Sequence, residues 1–556
     1  MYKVCLKEGV LMKDLTPALF SSLKGYNGKQ FISDLISGII VAIIALPLSI
    51  ALALASGVGP EEGLYTAIIA GFLISFFGGS RVQIAGPTAA FATIVAGVVA
   101  ENGMDGLITA TVMAGILLIL MGVFRLGALI KFIPFTITTG FTAGIAVTIV
   151  IGQLKDFFGV TYANGESPVE SIEKLEALIH NFSSFNIWAL IVGIGSLLIV
   201  IFWPKIKYLN KIPASLVAVV AGAAVVALCN LEVNTIGDLY TVSNAPPKFS
   251  LPSFSFDTVR NVAPDAFTIA ILAAIESLLS CVVADGMTNT KHNSNAELVA
   301  QGIGNLGSAL FGGIPATGAI ARTAANIKNG GKTPIAGMIH AVVLFLILIL
   351  LMPYAALIPM PVIASVLFGV AYNMCGWRTF VRLVKTAPKS DVLVLVLTFV
   401  LTVVFDLVVA IAVGIILACV MFMKRMSDEV TVRSWSYDDN IEHFPNLPKE
   451  IRVYEMNGPL FFGAADRIAD ITVKNYTKCL ILRMRSVSAI DSTAMNSLEA
   501  LYDKCAENGI TVIFSHVNSQ PMRAMEKAGF VKKVGLDNFQ PHITEALAMA
   551  EKKIKQ

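Results

Sequence analysis

The sequence predicts a polytopic α-helical membrane protein with fourteen membrane segments, arranged as two inverted sets of seven, and a small cytoplasmic α/β domain at its end. Three observations carry that reading. The chain is 55% hydrophobic and 14% charged, against roughly 25% charged in soluble domains, and its mean hydropathy is +0.74. Long apolar runs recur along it with basic loops on one side and acidic loops on the other. Two short segments, third and tenth in order, each follow a Gly-Gly break.

Residues 1–34 read as a cytoplasmic N-terminal segment. Apolar runs follow at 35–54, 64–77, 88–99, 107–124, 133–151, 187–202 and 213–228, so 35–230 forms the first repeat. An external polar linker, 231–263, separates it from the second repeat, 264–425. The runs there are 267–284, 297–311, 316–327, 334–352, 362–375, 392–405 and 407–422. Several are shorter than the ~20 residues that cross a bilayer. With the N-terminus inside, inner loops carry Arg81, Arg125, Lys131, Lys205, Lys207, Lys211, Lys291, Lys328, Lys332, Arg378, Arg382, Lys385 and Lys389. Outer loops carry Glu61, Glu62, Glu101, Asp105, Glu166, Glu170, Glu173 and Glu176. This polarity leaves both termini in the cytoplasm, as in a bacterial inner membrane.

Net charge of +3 gives no footing for nucleic acid, and seven cysteines without paired spacing define no metal or disulfide framework. No cofactor or metal is expected. No Walker A spacing is present, which argues against an ATP-driven pump.

The stretch from 311 to 333, FGGIPATGAIARTAANIKNGGKT, is the centre of the reading. Gly313 and Pro315 break a helix that is expected to restart near Ala316, and Gly86 and Pro87 do the same before Thr88. An odd number of spans per half inverts the second half. The two breaks then fall in corresponding positions, which marks a transport site at mid-membrane. Helix N-termini offer unpaired N–H groups and positive dipole ends to an anion. The expected donors are Thr88, Ala89 and Ala90 at one break, and Thr317, Gly318 and Ala319 at the other, with the two threonine hydroxyls adding bonds. Arg322 attracts the anion over longer range or serves as a structural partner of a carboxylate or helix end.

Glu276, in AILAAIESLLS, is the other costly charge, and Ser280 lies four residues on along the same face. Three roles stay open for Glu276: a proton-coupling group, a structural partner of Arg322, or a sodium ligand. Asp406, Asp285 and His292 read as cap or loop residues.

The tail, 434–556, alternates short strands and helices. Strands are expected at 451–456, 460–462, 479–484 and 510–515, and helices at 464–473, 493–508, 520–529 and 543–554. Asp491-Ser492 stands where a strand meets a helix, as an N-cap or as a regulatory serine.

Gly86-Pro87-Thr88, the run AAIESLLSCVVADGMTNT over 273–290, and residues 313–333 together resemble the sulfate permease family, also called solute carrier 26, and the tail resembles a STAS domain. IESLL, DGMT and Thr290-Lys291-His292 resemble the bacterial C4-dicarboxylate uptake branch most. The resemblance implies seven-plus-seven inverted repeats forming core and gate domains, a homodimer, and proton-coupled carriage of a C4-dicarboxylate by elevator-like movement. Sulfate or bicarbonate, sodium coupling, or an anion channel are the alternatives, and a cytosolic protein at the STAS domain is an admissible partner. It matches Thr88 and Ala89, and Gly318, Ala319 and Ile320, to the family's anion site. A sodium-coupled bicarbonate relative has aspartate where Glu276 stands. Pro47 marks a break in the first span, but Leu48 follows it where some members carry an acidic residue. Related soluble domains are phosphorylated at the position of Ser492.

Overall fold

The computed structural model describes residues 15–555 except 129–133, 163–167, 169, 208–211, 252–254, 406, 436–446 and 473–475. Asp406, Lys131, Lys211 and Glu166 therefore lie outside the described residues. The chain divides into two compact units, Met1–Ile415 and Ile416–Gln556.

In the first unit the elements are α1 (Gly28–Ala55), α2 (Pro60–Phe77), β1 (Ala85–Gly86), α3 (Ala92–Val123), α4 (Phe135–Phe158), α5 (Ile187–Phe202) and α6 (Ala214–Cys229). Then come α7 (Phe256–Thr288), α8 (Ser294–Leu310), β2 (Thr317–Gly318), α9 (Ile320–Lys328), α10 (Pro334–Ala355), α11 (Met360–Cys375) and α12 (Lys389–Val404). The helix α13 (Leu407–Asp428) follows. Among the described residues, eight helices are long and apolar enough to cross a membrane. The short α6, α8 and α9 are not among them, as the sequence suggested for several runs.

Packing sorts the helices into two groups. α3 lies along α7 and α8, and α2 along α8 and α10, with α1 against α10. α4 packs on α11 and α12, and α5 on α6 and α11. In lipid no hydrophobic effect draws helices together, so close backbone approach must do it. Gly115 of α3 and Gly302 of α8 face each other: a β-carbon on Gly302 would lie 2.5 Å from the Gly115 carbonyl oxygen. Asn27 opens α1 with a capping box, its side chain accepting from the Gln30 N–H.

One expected break is kept and two expectations are corrected. Runs 88–99 and 107–124 lie on two helical stretches of α3 that meet at Gly103, whose φ of 65° and ψ of −171° are not helical and which a glycine adopts without strain. Glu101 and Asp105 stay exposed at that kink. Pro47 does not break α1, which runs continuously through it; a proline inside a packed helix removes one ladder bond without ending the helix. The tenth segment does not restart near Ala316: residues 317–318 are a strand, and the helix begins at Ile320.

The second unit holds a five-stranded sheet in the order β3 (Thr431–Ser434), β4 (Ile451–Asn457), β5 (Cys479–Ser486), β6 (Thr511–Ser515) and β7 (Phe539–Gln540). β3 runs antiparallel to β4, and the remaining pairs are parallel. Helices α14 (Ser492–Glu507), α15 (Ser519–Lys527) and α16 (Ile543–Lys555) cover it. Alternation along β5 explains the layering. Leu480, Leu482 and Met484 join a core with Leu498 and Phe514, while Cys479 and Ile481 join another with Ala546 and Leu547 of α16. A parallel strand buried on both faces reads as an unbroken apolar run. The expected strand 460–462 is reduced to a single bridge, Leu460 to Ile490. Within 464–473 the helix spans only Ala465–Ala469.

Candidate anion site at two facing helix breaks

Both breaks lead into extended backbone, and the two extended pieces pair. Ala85 faces Gly318 and Gly86 faces Thr317 in antiparallel register, and the Ala319 N–H donates to the Ile84 carbonyl at 2.8 Å. Extended backbone buried inside a helical protein needs a partner for each polar group. Side chains from the surrounding helices provide the rest.

Asn305 of α8 acts as a one-residue strand for Ala316. Its Oδ1 accepts from the Ala316 N–H at 2.8 Å, and its Nδ2 donates to the Ala316 carbonyl at 2.9 Å. The Ile314 N–H donates to Thr66 Oγ1, and Ser308 Oγ donates to the Ile314 carbonyl, both at 2.7 Å. Asn305→Leu strands two buried backbone groups, each costing about 1–3 kcal/mol. The expected result is a marked fall in the unfolding temperature of the purified protein; an unchanged temperature would show that the clasp does not hold the break.

α7 supplies the second support. Ser277 Oγ accepts from the Gly318 N–H at 3.1 Å and shares a bond with Thr317 Oγ1 at 2.6 Å; Thr317 Oγ1 also reaches the Ala273 carbonyl. Ser280 Oγ donates to Thr323 Oγ1, which accepts from the Ile84 N–H. Ser280 is thus engaged with Thr323 of α9. Cys281 donates its thiol to Gln83 Oε1.

These bonds leave a different set of donors open from the one expected. The N–H groups of Gly318 and Ala319 and the hydroxyl of Thr317 are engaged inside the protein. In α9 the unpaired first-turn amides belong to Ile320, Ala321 and Arg322, because the first helical bond is Thr323 N–H to the Ala319 carbonyl. At the other break a 3₁₀ turn, Ala89–Phe91, begins with Phe91 N–H bonded to the Thr88 carbonyl. The amides of Ala89 and Ala90 precede it. Ile320 and Ala321 are exposed, Thr88 and Glu276 half-buried, and Ala89 and Ala90 buried.

Two further contacts tie the breaks together. Arg322 donates from Nη2 to the Pro87 carbonyl at 3.2 Å, and Thr88 donates from Oγ1 to Glu276 Oε2 at 2.9 Å. Glu276 is therefore held by Thr88, not by Arg322, and among the described residues Arg322 makes no ion pair. Gly313 and Pro315 are buried in the extended approach to β2.

Ser277, Thr323, Gln83 and Asn305 were not singled out from the sequence. One signal did exist: Glu297, Gln301, Asn305 and Ser308 repeat at helical spacing and are all fully buried. That stripe faces the breaks. Glu297 accepts from the Gly79 and Ser80 N–H groups, which fastens the end of α2. In the last turn of α7, Asp285 accepts from the backbone N–H of His292 in the following loop and pairs with its ring at 2.7 Å, while Asn293 caps α8. In the second unit Asp491 is the N-cap of α14, accepting from Ala494 N–H at 2.8 Å, and Ser492 is exposed beside it.

A membrane-embedded helical unit with two facing interrupted elements, followed by an α/β domain, is the build of a membrane transporter and not of an enzyme. Residues 31–398 match the sulfate permease family and residues 445–546 match the STAS domain. The chain belongs to the sulfate permease family and is a multi-pass membrane anion transporter. It is 39% identical over 531 residues to YvdB of Bacillus subtilis (strain 168), named a candidate sulfate transporter, covering 94% of this chain and 98% of the relative. To the bicarbonate transporter BicA of Picosynechococcus it is 31% identical over 541 residues, covering 93% and 94%. The transmembrane domain of a cyanobacterium bicarbonate transporter BicA superposes with a TM-score of 0.63 at 32% identity, covering 71% of this chain and 98% of that one. SLC26A9 shares the fold over 100% of this chain and 95% of its own, with a TM-score of 0.86 at 19% identity.

Proposed function

We propose that this protein is a secondary carrier of a small inorganic oxyanion, sulfate or bicarbonate, moved by elevator-like alternating access in a bacterial inner membrane. The observation that carries this reading is the junction of the two breaks. In this reading the first-turn amides of Ala89 and Ala90 at one break, and of Ile320 and Ala321 at the other, receive the anion; what supports it is that the two breaks are paired to each other and tied by the Arg322–Pro87 bond, with no side chain larger than isoleucine on those four positions. Backbone dipoles hold an anion with partial charges, weakly enough to release it again. Glu276, bonded to Thr88 at the rim of this junction, carries the coupling cation, a proton first and sodium second. The names of the relatives favour sulfate or bicarbonate over the C4-dicarboxylate suggested by the motifs. The carrier works as a homodimer, and Ser492 is the phosphorylatable hydroxyl through which the cytoplasmic domain is regulated.

Proteoliposome uptake of labelled sulfate, bicarbonate and succinate, under imposed proton or sodium gradients, tests this. Accumulation of sulfate or bicarbonate under one gradient is the expected result. Preference for succinate over both restores the dicarboxylate reading, and no uptake of any anion overturns the carrier.

A further inference from the structure

On the α2 and α10 side of the paired strands lies a second set of polar atoms, of which the carrier reading uses only the Arg322 charge. Arg322 is only 3% exposed. It reaches across Gly86: a β-carbon there would fall 2.5 Å from Nη1 and 3.6 Å from Ala67 of α2. Nη2 is bonded to Pro87, but Nη1 has no partner. His340 of α10 is fully buried, and neither Nδ1 nor Nε2 has a partner. One turn earlier, Gly337 lies against Ser75 Oγ and Ile84, and Ser75 Oγ is likewise buried and unpartnered. Ile84, against Gly337, and Gly86, against Arg322 Nη1, are two residues apart at β1, so the His340 turn and the guanidinium flank the same short segment.

A neutral imidazole presents one N–H and one lone pair, and a guanidinium nitrogen presents N–H groups with no acceptor capacity. Burying all of these unmatched is costly, and leucine would fill the His340 position without that cost. The missing partner must accept from Nη1, and both accept from and donate to the ring. Water does all three, and it needs two to four polar neighbours of this kind.

We infer that Arg322 Nη1, His340 and Ser75 enclose a chamber of ordered water behind β1 and β2, on the opposite side from the anion junction. The chamber solvates the guanidinium from the rear. A carboxylate in that place would cancel the field of Arg322 at the junction; water leaves it in force. This consequence rests on the carrier reading, whereas the hydration itself does not.

X-ray radiolytic labelling of the full chain in lipid nanodiscs reads the hydration directly, because bound water generates the radical that oxidises its neighbours. Met352, also on α10 and 2% exposed, lies in the apolar core and serves as the dry reference. Normalised to intrinsic reactivity, His340 is expected to be modified about tenfold or more above Met352 if water adjoins it. His340 no more reactive than Met352 overturns the chamber. His340→Leu gives an independent reading: a wet chamber lowers the unfolding temperature of that variant, and an unchanged or raised temperature shows dry packing. Neither measurement requires transport, so each can fail while the carrier stands.

Discussion

Arg322→Ala is expected to reduce anion uptake by about 10²-fold, the larger part as a raised KM, since a charge-assisted bond to an ion contributes about 1.5–3 kcal/mol. Two losses combine. The bond from Nη2 to the Pro87 carbonyl fixes one break against the other, and the cation draws the anion to their junction. Arg322→Lys separates them. Lysine restores the charge as a compact ammonium, but lacks the planar fork that serves Pro87 with one nitrogen and leaves the other free. Uptake by Arg322→Lys is expected to fall between wild type and Arg322→Ala. Should Arg322→Ala remain folded and transport within about threefold of wild type, the residue is neither anchor nor attractant. Measuring initial rates over a range of anion concentrations, alongside the unfolding temperature, distinguishes these cases.

The breaks themselves were legible because glycine and proline declare their backbone consequences locally. Gly78-Gly79 and Gly86-Pro87, like Gly312-Gly313 and Pro315, combine two breakers within a few residues and keep the chain out of a helix there, which the lone Pro47 does not. What the residues could not announce was the pairing of Ala85–Gly86 with Thr317–Gly318. Strands of two residues carry no alternation, and their stability comes from partners more than two hundred positions away. Thr323, whose hydroxyl meets the Ile84 N–H, is hidden by the same long range, and Ser277 and Asn305 by partners on other elements. Each is a small polar residue in an apolar run, and its identity says only that it needs a partner, not which one. Thr317 shows the converse: its place at the break suggests a free hydroxyl, yet that hydroxyl turns to Ala273 and Ser277, a direction that position along the chain does not encode.

The tail was more legible than the membrane unit for a related reason. Its parallel strands are buried on both faces, so apolar runs such as 479–484 stand out against charged helices. The edge strands β3 and β7 escaped notice, being short and half-exposed.

Glu276→Gln is expected to disconnect uptake from the pH gradient while leaving anion binding in place. Glu276 stands between the two breaks: its Oε2 accepts from Thr88 of the first, and the next residue, Ser277, holds the Gly318 N–H of the second. A change of charge at this point acts on both. Ionised, the carboxylate repels an incoming anion; protonated, it keeps an acceptor for Thr88 and loses the repulsion. Glutamine reproduces that second state at every pH, because its carbonyl oxygen accepts from Thr88 and it carries no charge. The variant should therefore bind sulfate or bicarbonate within about threefold of wild type and exchange one labelled anion for another across the bilayer. Gradient-driven accumulation, however, should disappear. If sodium is the coupling ion, the loss appears in the sodium dependence instead. Thr88→Val completes the test by removing the donor and leaving the carboxylate: coupling should persist with a shifted pH profile. Accumulation by Glu276→Gln under a pH or sodium gradient, equal to wild type in both size and pH dependence, would remove Glu276 from the coupling path and leave the carrier without an identified cation site.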